Sequence, residues 1–111
     1  MMEMHEYQTG ASCSSEAGRP NYDGYFSGHF LKAFGEYMLK HQTRADGETR
    51  QSDNWKRGIP MDRHHRSLIR HAIEYKIYCD GPESCDEKKI DMLCAIVFRA
   101  QGLIHEIMEG K

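Results

Sequence analysis

From Pro60 onward the chain consists of two amphipathic stretches separated by a single break, and that arrangement leaves few folds open to it. In the first stretch Met61, His65, Leu68, Ile69, Ala72, Ile73 and Lys76 fall on one stripe at 100° per residue, which predicts a helix with that stripe as its core face. In the second, Ile90, Leu93, Cys94, Val97, Ala100, Ile104, Ile107 and Met108 repeat the pattern, with Met92, Ile96 and Leu103 widening the face. The break, Cys79-Asp80-Gly81-Pro82-Glu83-Ser84, predicts a tight reversal, because Asp-Gly permits positive φ and Pro cannot continue a helix. Two helices joined this closely form an antiparallel hairpin.

The helix ends carry their own signals. Pro60 suits a first turn, where its missing N–H costs nothing, and Asp62 suits the positive end of the dipole. Ser84 and Glu87 have the spacing of a capping box, which predicts that the second helix starts there. Upstream, Phe30, Phe34, Tyr37 and Met38 recur at three- and four-residue steps and predict a packing helix over residues 29–41 despite Gly35. Residues 1–28 mix Glu, Ser, Gly, Thr and Asn without periodicity and read as a flexible polar segment ahead of a helical domain at 29–111. Tyr22, Tyr25 and Phe26 stand out there as aromatic surface for the folded part or for a partner subunit. The last helix is too apolar in its middle for two other helices of one subunit to cover. The expected fold is therefore all-α: a helical hairpin plus a preceding helix, completed by a homo-oligomer.

Charge and cysteine content narrow the function classes. Fifteen Lys and Arg against seventeen Asp and Glu give a net charge of −2, unlike the basic excess of a general nucleic-acid binder. Cys13, Cys79, Cys85 and Cys94 contain no C-x-x-C, which fits reduced thiols better than a zinc module. No stretch approaches membrane-spanning length and no leader pattern opens the chain, so the expected setting is cytoplasmic, without a membrane partner.

The hairpin also predicts where carboxylates meet. Glu74 lies about one turn before the first helix ends and Asp91 about one turn into the second, so an antiparallel pair sets them at similar height. Glu87 precedes Asp91 by four residues, on the same face. Glu74, Glu87 and Asp91 could thus hold Mg²⁺ or Mn²⁺, with Glu74 and Asp91 as the catalytic pair and His71 one turn deeper. Lys56, Arg63, Arg66 and Arg70 supply positive charge for phosphates, and Trp55 offers a face for a base. Together they describe a nucleotide site. The same residues admit a plainer reading: Glu87 as a cap, Glu74 paired with Arg70, Asp91 with Lys88, and the arginines as a solvated face. The chain has no P-loop, no G-x-G-x-x-G and no His-Asp dipeptide.

The elements Ser52-Asp53-Asn54-Trp55-Lys56-Arg57-Gly58-Ile59-Pro60, Ser67-Leu68-Ile69-Arg70-His71, Asp91-Met92-Leu93-Cys94-Ala95-Ile96-Val97-Phe98 and Leu103-Ile104-His105-Glu106 span roughly residues 48–108. They resemble small phage proteins near the dATP/dGTP diphosphohydrolase family, distant relatives of the MazG-like all-α nucleoside triphosphate pyrophosphohydrolases. The resemblance implies metal-dependent release of pyrophosphate from a (d)NTP. It sets Arg70 and His71 on the family's Arg-His pair, Asp80 and Glu83 on its acidic interhelix segment, and Asp91 on the polar start of its last helix. The chain departs from the pattern in lacking Glu-Glu-x-x-Glu and in carrying Cys94 and Phe98 where that group has His or Asn. Three functions are therefore expected in this order: a pyrophosphohydrolase, a nucleotide or nucleotide-signal binder that sequesters without turnover in an anti-defence role, and a helical assembly protein.

Overall fold

The computed structural model describes residues 4–6, 8–14 and 17–110. Near the N-terminus two short strands, β1 (Met4–Glu6) and β2 (Ser12–Ser14), pair antiparallel with His5 opposite Cys13. Four helices follow: α1 (Tyr22–Tyr25), α2 (Gly28–Gln42), α3 (Met61–Asp80) and α4 (Asp86–Met108). A 3₁₀ turn at Asn54–Arg57 interrupts the connection between α2 and α3. The fold is all-α, with α3 and α4 as its packed antiparallel hairpin and α2 laid across α4. Among the described residues no helix is long and apolar enough to cross a membrane.

The helix starts show how local chemistry sets the boundaries. The Ser27 side chain accepts the Phe30 N–H at 3.3 Å and opens α2, whereas Pro60 stands at the N-cap position of α3, one residue before the first turn, with no side-chain cap. At α4 the expected capping box does not form: Cys85 is the N-cap, and no side chain caps the helix. The Tyr78 hydroxyl takes over the job of fixing this end, accepting the Cys85 N–H at 2.9 Å and donating to its Sγ at 3.4 Å. The reversal itself is present, but not through positive φ. Gly81 is extended (φ −80°, ψ 158°), the conformation that a following proline imposes.

A larger correction concerns which face of α3 meets α4. The stripe expected to be its core face points outward: Met61, His65, Ile69, Ala72, Ile73 and Lys76 are exposed, and Leu68 is half-buried. The face against α4 carries His64 and Ser67, both fully buried, with His71, Tyr75 and Tyr78 further along. The reason lies in what α4 offers in return. Ala95 and Gly102 are buried there, small enough for close approach, and a Cβ at Gly102 would come within 2.3 Å of His64 Cε1. An isoleucine stripe finds no matching hollow on that surface. Tyr22, Tyr25 and Phe26 are also exposed, and none of the described residues buries them.

Candidate functional site

The polar layer between α3 and α4 forms the floor of the site. Arg99 on α4 donates from Nη1 to His64 Nδ1 at 3.2 Å, which leaves the ring proton on Nε2. Burial, followed by the Arg99 charge, pushes the His64 pKa down, so the ring stays neutral at pH 7. His64 Nε2 and Ser67 Oγ find no hydrogen-bond partner among the described residues. Glu106, also buried, accepts the Ile59 N–H at 3.3 Å and ties the end of the long loop to the hairpin.

Above this layer α2, the loop of residues 43–60 and α4 enclose a cavity of about 450 Å³. The loop keeps its shape through several ties. Thr43 bridges Thr49, the Arg50 N–H donates to the Gln42 carbonyl at 2.8 Å, and Gly47 takes φ +88° at the tip of the turn. Trp55 then stands edge-on to Phe98 and His105, with ring centres 6.0 and 5.0 Å away. Tyr37 and His41 of α2 form the opposite wall, with Arg50 and Arg99 as the cations of the lining. Gln42, Gln51, Ser52 and Asn54 add hydrogen-bonding groups. Among the described residues, none that lines the cavity is a carboxylate.

Arg99 is the unusual group in this wall. It is half-buried, and the charged groups acting on it are Arg63, Tyr37 and Arg70, with no carboxylate among them. Burial, then the cations, push its pKa down from the ordinary value, although a guanidinium remains charged at neutral pH. A desolvated cation facing other cations is costly until an anion reaches it.

The structure brings two of the sequence-derived site residues to this cavity. Trp55 and His71 both line it. The His71 pKa is pushed down, first by burial and then by Arg70, and Nδ1 lies 3.6 Å from Glu74 Oε2. Arg63 and Arg70 do not line the cavity but act on Arg99 electrostatically. Arg70 Nε is 3.7 Å from Glu74 Oε1, the pairing of the plainer reading. Lys56 sits 5.8 Å from the Trp55 ring centre, and Arg66 is engaged with Asp62 at 3.1 Å on the exposed side of α3.

The carboxylates are engaged separately. Asp91 pairs with Lys40 of α2 at 2.5 Å, Glu74 with Arg70 and His71, and Glu87 stands exposed on the first turn of α4. Among the described residues no group of three His, Cys, Asp or Glu lies close enough to hold a metal ion. The structure therefore does not bring Glu74, Glu87 and Asp91 together into one group.

Arg99 and Tyr37 escaped the sequence reading. The signal for Arg99 was a lone cation inside the apolar run from Leu93 to Leu103. Tyr37 looked like packing because it shares a stripe with Phe30 and Phe34. Compared with protein-family models, curated proteins and solved structures, the chain matches none.

Proposed function

We propose that the protein binds a nucleotide, or a small nucleotide-derived anion, in the cavity between α2, the 43–60 loop and α4, and holds it without turnover. The observation that carries this reading is Arg99, a half-buried guanidinium on the cavity wall with cations and no carboxylate acting on it. Arg99 and Arg50 take the phosphate, and Trp55, Tyr37 and Phe98 supply aromatic surface for the base. Gln42, Gln51 and Asn54 offer donors and acceptors to its edge. The volume is in the range of small-molecule sites. Such a role places the protein in the cytoplasm, with its ligands.

Calorimetric titration with individual (d)NTPs, and with inorganic phosphate for comparison, tests the reading. A nucleotide should bind, and Arg99→Gln should weaken it at least about tenfold, since a charge-assisted hydrogen bond contributes about 1.5–3 kcal/mol. Arg66→Gln should leave affinity unchanged, because Arg66 is exposed and engaged with Asp62. Absence of binding, or an unaltered Arg99→Gln titration, would sink the idea.

One observation favours turnover as a second reading. His71 lines the cavity, its pKa is depressed, and Glu74 stands beside Nδ1, so Nε2 is free to take a proton from an attacking water. Release of pyrophosphate from a (d)NTP supplied with Mg²⁺ or Mn²⁺, lost in His71→Ala, would decide for hydrolysis.

A further inference from the structure

We infer that the outward face of α4 is the interface with a second copy of this chain, joined antiparallel about a twofold axis. The first observation is the spacing. Ile90, Leu93, Val97, Ala100, Ile104 and Ile107 follow one another at steps of three, four, three, four and three, the repeat of a helix seam packed against another helix. The seam lies on the side of α4 away from α3. Ile104 and Ile107 are each 63% exposed, with Ile90 and Leu93 near half. Its first half, Ile90, Leu93 and Val97, lines one side of a shallow groove of about 250 Å³ whose other side is His29, Phe30 and Ala33 of α2, with Cys94 between them, so a partner helix there would lie against α2 as well. The seam contains no charged side chain.

The second observation is the amount of surface left open. The chain exposes 9000 Å², whereas a compact monomer of 12.9 kDa exposes about 6300 Å². Its radius of gyration is 19.4 Å, against about 13 Å for a compact domain of this length. The excess is roughly 2700 Å², and an obligate interface takes about 1000 Å² or more from each partner. Half of that excess is enough for such an interface.

A second copy is the occupant because the seam is complementary to itself. Antiparallel pairing sets Ile90 on the partner's Ile107, Leu93 on the partner's Ile104 and Val97 on the partner's Ala100, so all six positions find a partner. Parallel pairing would stack Ala100 on the partner's Ala100 and leave a hole at the centre. The antiparallel arrangement also opposes the two helix dipoles.

Sedimentation of the full chain at micromolar concentration should give twice the monomer mass or a higher even multiple. Ile104→Glu, and equally Ile107→Glu, should give a monomer with undiminished helical circular dichroism, since both side chains are largely exposed in the single chain. Ile73→Glu, on the outer stripe of α3, should leave the dimer intact. A monomeric wild-type protein, a dimer that survives Ile104→Glu, or dissociation by Ile73→Glu would each overturn the assignment. For the orientation, a photo-crosslinking side chain placed at Ile104 should join the segment around Leu93. A product joined at Ile104 itself would refute the antiparallel pairing.

Discussion

Between α3 and α4 the chain buries a histidine, a serine, a glutamate and a glycine, while on the outer faces of the same helices Ile69, Ile73, Ile77, Ile104 and Ile107 meet solvent. The usual distribution is the reverse. The contrast teaches that close approach and apolarity are separate requirements. The inner contact is built from small residues and one ring seated over Gly102, and it positions Arg99 through His64. The outer faces are apolar and exposed among the described residues, apart from the groove that Ile90, Leu93 and Val97 line with α2. Cys94 and Ala95 are the only buried hydrophobic residues among those described, so the single chain has little core of its own.

One substitution made in two places separates these regions most sharply. Gly102→Ala would push a methyl group into the His64 ring, with its Cβ 2.3 Å from Cε1 and 2.5 Å from Nε2. The expected loss is about 2 kcal/mol or more, as for other overpacked interiors, read by chemical denaturation at fixed protein concentration. An unchanged midpoint would mean that the helices slide apart at no cost and that the inner contact is not tight.

The next effect is a pH dependence confined to the inner layer. The folded-state pKa of His64 lies below its unfolded value near 6.5, so below that pH the unfolded chain binds a proton that the native ring refuses. The stability associated with neutral His64 is complete above about pH 6.5 and declines as pH falls toward the folded pKa. His64→Gln, which keeps an acceptor for Arg99, should flatten that part of the stability profile. His71 shifts in the same direction for the same leading reason, and His71→Gln should flatten it further. Identical acid slopes in wild type and His64→Gln would show that the ring titrates freely and is not sealed between the helices.

The smallest effect lies outside. Gly35 sits in the interior of α2 with nothing within 4 Å of an added Cβ, so Gly35→Ala should stabilise by about 0.5–1 kcal/mol through helix propensity alone. A loss at Gly35 would place it against a neighbour that the isolated chain lacks. That outcome would extend the outer interface from α4 onto α2.

The hairpin was legible in the sequence because its causes are local: apolar side chains at helical spacing on both sides of Gly81-Pro82. The orientation of α3 was not. Periodicity identifies which face is apolar but not which neighbour that face meets, and the Ile69, Ile73 and Ile77 stripe stands exposed among the described residues. The buried role of Gly102 was equally hidden, since a glycine inside a helix carries no mark of the ring that packs over it. For the site, residue type and position point to Trp55 and His71, and the structure sets both on the cavity wall. Lys56 and Arg66 offer only charge as a signal, and the structure sets neither on the cavity wall. The cavity itself draws on Tyr37, Trp55 and Arg99, three segments far apart in sequence, and no local pattern records that they converge.

The Tyr78 hydroxyl, seated on the Cys85 backbone at the closed end of the hairpin, bears on the order of events in folding. Five residues separate α3 from α4, so drawing the helices together costs little chain entropy and their contacts are near in sequence. The hairpin can therefore form rapidly, at a rate independent of concentration, before a second chain is encountered. Its apolar outer faces are open during that interval, and dilution during refolding would separate the quick monomolecular phase from the slower meeting of chains.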